Sequence, residues 1–132
     1  MNPRTERGRR TRSALLTAAR EAFEERGFDD CRMNDIADAA GVSHGTVYTY
    51  FESKEEILGQ VIDELLVEIQ DDLRTSAKDP MARIAEANKR YLQAYRDNHR
   101  LLQVIEQAAV TTPELGARLD EFRRRYHARV SA

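Results

Sequence analysis

The chain has 132 residues with 21 basic and 23 acidic side chains, a formal net charge of −2, 41% hydrophobic residues, no Trp and one Cys. That length holds one domain or two small ones. No apolar run approaches the roughly 20 residues of a spanning helix, the charged start MNPRTERGRR with no apolar stretch behind it leads to the expectation of no secretory signal, and a lone Cys31 excludes an internal disulfide framework and points to a reducing cytoplasm.

Residues 1–12 hold Arg4, Arg7, Arg9, Arg10 and Arg12 against Glu6 alone. Such a basic arm on an acidic chain either meets a polyanion at one end of the molecule or is a solvated terminus. Next, Leu15, Ala19, Ala22 and Phe23 fall at i, i+4, i+7 and i+8, one face of a first helix. Gly27 ends it, with Phe28 as the hydrophobic contact just beyond. Ile36, Ala37 and Ala40 mark a short second helix stopped at Gly41, and Ser43 caps a third that runs to about Phe51. Ser53-Lys54-Glu55-Glu56 forms a capping box for a long fourth helix, apolar at Leu58, Val61, Ile62, Leu65, Ile69 and Leu73.

Asp79-Pro80 opens a fifth helix with Met81, Ile84, Ala85, Asn88, Tyr91, Leu92 and Tyr95 on one face. Asn98 interrupts it. A sixth helix holds Leu101, Val104, Ile105 and Ala108, and Thr112-Pro113 caps a seventh with Leu115, Leu119, Phe122 and Tyr126 on one side. Residues 1–10 and 74–79 read as linkers. The fold class is all-α.

The informative stretch is MNDIADAAGVSHGTVYTYFESK, residues 33–54. A small Ala37 lets two helices cross closely, Gly41 supplies a left-handed turn, and Ile36, Ala40, Val42 and Val47 fix the angle between them. These are the requirements of a helix-turn-helix whose second helix enters a major groove. An ordinary helical hairpin explains the apolar positions but not the exposed ones. Ser43, His44, Gly45, Thr46, Tyr48 and Tyr50, with Lys54 opening the next helix, bring hydroxyls, an imidazole and an ammonium that can meet phosphates or base edges. Catalysis has no comparable inventory: Cys31 has no adjacent His, and His44, His99 and His127 are scattered without metal-ligand spacing. No catalytic residue, metal or cofactor is expected. The competing non-enzymatic reading is a helical interaction module whose acidic fourth helix meets a basic partner.

Residues 39–58, AAGVSHGTVYTYFESKEEIL, together with residues 15–37, resemble the N-terminal domain of the TetR family of bacterial transcriptional regulators. The resemblance implies a helix-turn-helix DNA-binding domain at 10–54 and a helical regulatory domain at 55–132. It also implies a homodimeric repressor on a near-palindromic double-stranded operator, released by a small effector. Carried over, Arg32, Asn34, Ser43, His44, Gly45, Thr46, Tyr48, Tyr50 and Lys54 are the DNA-contacting positions. Thr46, Tyr48 and Lys54 would hold phosphates, while His44 and Gly45 would lie near bases. Arg32 departs from the family's Thr or Ser at the N-cap of the second helix. Either it faces phosphate, or it lies in solvent while Asp30 caps.

The family's effector pocket lies among the later helices. Ile84, Asn88, Tyr91, Tyr95, Leu101, Ile105 and Phe122 are the candidate lining for an apolar or amphipathic molecule. Asn88 would bond either that molecule or a neighbouring backbone. Family members usually continue for two long helices that build the dimer interface. Without them, Leu115, Leu119, Phe122 and Tyr126 are expected to be partly exposed. A truncated or natural short form is the expectation.

Overall fold

Thr5 starts the first helix: its hydroxyl accepts the Gly8 N–H at 3.0 Å, and α1 runs Glu6–Arg26. The computed structural model describes residues 5–72 and 78–131, with side chains at 5–70 and 78–125. Arg4, Leu73, residues 74–77 and the side chain of Tyr126 lie outside the described residues. After α1 come α2 (Met33–Ala40), α3 (His44–Tyr50), α4 (Lys54–Asp72), α5 (Pro80–Asp97), α6 (His99–Ala109) and α7 (Pro113–Ser131). Among the described residues there is no strand.

The linker expected at residues 1–10 is corrected by this start. Glu6 sits in the first turn, where the helix dipole favours an anion. Its carboxylate pairs with Arg9 at 3.1 Å and Arg10 at 3.6 Å, one turn further on. The described arginines of the basic arm are therefore carried on a helix. Arg12 faces inward, donating to Gln60 Oε1 of α4 at 2.8 Å and stacking over the Phe51 ring at 5.5 Å.

The other caps follow local chemistry. Asp79 accepts the Ala82 N–H at 3.0 Å, with Pro80 at the first helical position, where no N–H is needed. Ser53 accepts the Glu56 N–H at 3.1 Å, as the capping box requires, but the Glu56 carboxylate accepts from Glu52, one residue earlier than the box predicts, at 3.0 Å.

One apolar core runs through both halves of the chain. Leu15, Leu16, Ala19 and Phe23 of α1 share it with Ile36, Ala37 and Val47 of α2 and α3. Leu58 and Leu65 of α4, Leu101 and Ile105 of α6, and Leu115 and Leu119 of α7 complete it. The expected exposure of Leu115 and Leu119 is thus corrected: they are 4% and 3% exposed, because α7 packs on α4 and α6. Arg118 of α7 fastens that contact by donating to the Gly59 carbonyl of α4 at 2.9 Å. Phe122 is partly buried against the same core. The core thus sets α1 against the long α4, and α1 carries α2, on which α3 packs.

Candidate nucleic-acid interface

Gly41 makes the turn. It ends α2 at φ 72°, ψ 29°, a conformation that a side chain disfavours, and its N–H and that of Val42 return to the Asp38 and Ala37 carbonyls at 3.2 and 3.0 Å. Ile36, Ala37 and Val47 are completely buried behind the turn, with Ala40 and Val42 partly so. The small Ala37 lets α2 close on α1 and α3 close on α2, which leaves the opposite face of α3 in solvent.

Ser43 caps α3, accepting the Thr46 N–H at 3.2 Å, and its hydroxyl also shares a 2.6 Å hydrogen bond with that of Thr46. Both hydroxyls therefore serve the helix start first. His44 is exposed, and its Nε2 lies 2.9 Å from Asp38 Oδ1 on α2. Gly45 sits in the helix with open space where a Cβ would be: nothing lies within 4 Å of that point. Tyr48 is 56% exposed, the largest side chain presented on this face. Tyr50 is half-buried and packs against the core, so its ring anchors α3 as well as reaching the surface.

At the start of α2, Asn34 is exposed, and so is Arg32, which occupies the N-cap position itself. The alternative in which Asp30 caps is set aside by this geometry. Asp35 does the work that Arg32 cannot: its carboxylate accepts the Arg32 N–H at 2.9 Å and brings negative charge to the helix N-terminus. Cys31, just before, is fully buried. Burial pushes its thiol above the ordinary value, and Asp35 adds to this against the opposing pull of Lys54 and Arg26. That environment makes the thiol a poor nucleophile.

Lys54, expected from the sequence on a phosphate, is placed otherwise. Its Nζ donates to the carbonyls of Phe28 at 2.6 Å, Asp29 at 3.3 Å and Cys31 at 3.2 Å, and lies 4.4 Å from the centre of the Phe28 ring. With three acceptors for its three N–H bonds, the ammonium in this arrangement ties down the α1–α2 loop.

Three residues that the sequence reading passed over belong to this region. Asp38 holds His44 from across the turn. Thr49 is exposed on α3, four residues after Gly45, a helical spacing that could have found it. Gln107 of α6 accepts the Phe28 N–H through Oε1 at 2.7 Å and donates to Asp29 at 3.4 Å. No local pattern signals that contact.

The candidate effector residues do not gather around one opening. Leu101 and Ile105 are sealed inside the core. Asn88, expected on the apolar face, is exposed with Met81, Ala85 and Leu92, while Ile84, Ala87, Tyr91 and Tyr95 turn inward. The Tyr91 and Tyr95 rings pack at 5.0 Å, and the Tyr95 hydroxyl accepts from Arg123 of α7. A groove of about 580 Å³ opens elsewhere, between α1 and α6, past Phe23, His99, Val104 and Gln107.

Residues 15–61 match the family model for bacterial regulatory proteins of the tetR family. The chain is similar to the HTH-type transcriptional activator FasR of Mycolicibacterium smegmatis, 33% identical over 123 residues that make up 89% of this chain and 53% of that protein. It is also similar to the HTH-type transcriptional repressor KstR2 of Rhodococcus jostii, 46% identical over 66 residues, 50% of this chain and 29% of that one. Among solved structures, the flavonoid-responsive regulator FrrA superposes with a TM-score of 0.71 at 30% identity, covering 86% of this chain and 60% of that chain. A Mesorhizobium loti protein assigned to the same family gives 0.78 at 26% identity, covering 89% and 62%. The chain thus spans about half the length of FasR and less of KstR2.

Proposed function

This chain belongs, by its residues 15–61, to the TetR family of bacterial regulatory proteins, and on that premise we propose that it is a cytoplasmic, ligand-responsive transcriptional regulator and not an enzyme. Its head reads a near-palindromic operator as one half of a homodimer. The observation that carries this reading is the outward face of α3, where an open Gly45 lies between exposed His44 and Tyr48. Nothing in the fold asks for a glycine at that point. A missing side chain there serves close approach to something outside the protein, and a major-groove floor fits the shape and the polar chemistry of the neighbouring residues.

Repression is the direction of control proposed, with the relatives' names giving both senses. FasR is an activator and KstR2 a repressor. The effector is proposed to be a small apolar or amphipathic molecule, although Ile84, Tyr91, Tyr95 and Phe122, half-buried as they are, frame no opening for it in this structure. The name of FrrA, a flavonoid-responsive regulator, agrees with an effector of that class.

Gly45→Ala tests the central observation, because its two effects have opposite signs. Alanine in an unobstructed helical position should stabilise the free protein by roughly 0.5–1 kcal/mol. The same methyl, pressed against base edges, should weaken duplex binding. A thermal melt and fluorescence anisotropy against a labelled duplex read both. Tighter melting with unchanged binding would remove α3 from the interface.

Tyr48→Phe removes one hydrogen bond to an anionic phosphate, a loss of about 1.5–3 kcal/mol, so affinity should fall by about tenfold or more for every duplex sequence alike. The salt slope should stay as it is, because no charge is removed. If the unmodified chain bound duplex DNA with no salt dependence at all, the helical interaction module would become the better reading.

A further inference from the structure

Asp38 is a carboxylate on the face of the molecule that meets DNA, where it adds like charge to the phosphates. On simple electrostatics it does not belong there. Its side chain is 70% exposed, and among the described residues it partners the imidazole of His44, with Nε2 2.9 Å from Oδ1. The two residues come from different helices, brought together by the Gly41 turn. His44 itself is 53% exposed and stands at the first position of α3, beside the open surface of Gly45.

A neutral imidazole has one nitrogen that donates and one that accepts, and the hydrogen bond made by one nitrogen decides the role of the other. An ionised carboxylate can only accept. Facing Asp38, Nε2 must therefore carry the proton, which leaves Nδ1 as a bare acceptor. In the major groove, acceptors are satisfied by the exocyclic amines, N6 of adenine or N4 of cytosine. Guanine and thymine present acceptors of their own.

We propose that Asp38 is a positioning residue that sets the base preference of this head, fixing His44 in its Nε2–H tautomer so that Nδ1 reads adenine or cytosine. The inference rests on the DNA-reading function proposed above. It assigns the base-reading role to one ring nitrogen and gives the unfavourable carboxylate a purpose. Without Asp38, both tautomers are available and the ring can offer a donor as readily as an acceptor. Preference at that base would then broaden, with guanine and thymine admitted. Asp38→Asn should behave similarly while keeping the size of the side chain, because an amide can turn either its oxygen or its nitrogen toward the ring.

Two measurements at pH 8 test this on the full chain. Long-range nitrogen–proton NMR correlations report the tautomer of each histidine, with His44 assigned through His44→Gln. The expected result is an Nε2–H pattern in the unmodified protein and a mixed pattern in Asp38→Ala. Selection from a randomised duplex pool then reads base preference. The unmodified protein should favour adenine or cytosine at one position by about tenfold, Asp38→Ala and Asp38→Asn should lose that preference, and preferences elsewhere in the site should stay. Both variants change exposed groups, and their fold is checked by circular dichroism.

An Nδ1–H tautomer in the unmodified protein overturns the proposal. So does an unaltered preference in Asp38→Ala. If the unmodified protein enriches no sequence while its tautomer is as expected, the pairing stands, but the DNA-reading function fails and takes the specificity role with it.

Discussion

Lys54→Met should lower the thermal midpoint by about 8–15 °C and leave the salt dependence of DNA binding unchanged. The substitution keeps most of the length and much of the apolar contact with the Phe28 ring. It removes the charge and the hydrogen bonds to the carbonyls of Phe28, Asp29 and Cys31. Single hydrogen bonds to charged groups contribute about 1.5–3 kcal/mol. These three share one ammonium and partly solvated acceptors, so the combined loss is about 2–4 kcal/mol. For a chain of this size each kcal/mol moves the midpoint by about 4 °C. Against a total stability of roughly 5–15 kcal/mol, that is a large share. A lysine on phosphate would behave differently: its removal would reduce the salt slope by about one and leave the melt nearly intact. Melting curves and a salt titration on the same variant separate the two roles.

What could be read from the sequence was what neighbouring residues decide among themselves. Ser43, Gly41, Asp79-Pro80 and Thr112-Pro113 announce helix ends because capping and turn geometry need only a few consecutive residues. The buried positions of α1 and α6 follow from spacing alone. The start of α1 was missed because Thr5 and Glu6 stand among arginines and read as part of a charged arm, although the Glu6 pairs with Arg9 and Arg10 are ordinary helical spacings.

On α5 the pattern was ambiguous for a physical reason. Two adjacent stripes, Met81-Ala85-Asn88-Leu92 and Ile84-Ala87-Tyr91-Tyr95, are both largely apolar, and only the helices packed alongside choose the second. At the site, the exposed face of α3 was legible from helical periodicity. The partners of Lys54 and His44 were not. The first lie 23–26 residues back in the chain, and the second sits on the other side of a turn.

Those distant partners meet at one place. The loop between α1 and α2 is held from α4 by Lys54 and from α6 by Gln107, and it is the segment that leads into the head. Gly27 ends α1 at φ 82°, with its own N–H returned to the Phe23 carbonyl at 2.8 Å. The next N–H, that of Phe28, does not turn back to the helix and is taken by Gln107 Oε1 at 2.7 Å. A side chain of α6 thus satisfies the first N–H beyond the end of α1.

Gln107→Leu fills the same space and offers no acceptor. The part-buried Phe28 amide would be left unpaired, a loss of about 1–3 kcal/mol. Hydrogen exchange at that amide should accelerate by about tenfold to a hundredfold relative to the rest of α1, since each 1.4 kcal/mol is a factor of ten. Gln107→Glu provides the control, because a carboxylate still accepts from Phe28 while it repels Asp29. Its Phe28 amide should remain the better protected of the two variants. Equal protection of Phe28 in both variants would mean that the hydrogen bond from α6 does not hold the loop, and that of the two side chains only Lys54 does.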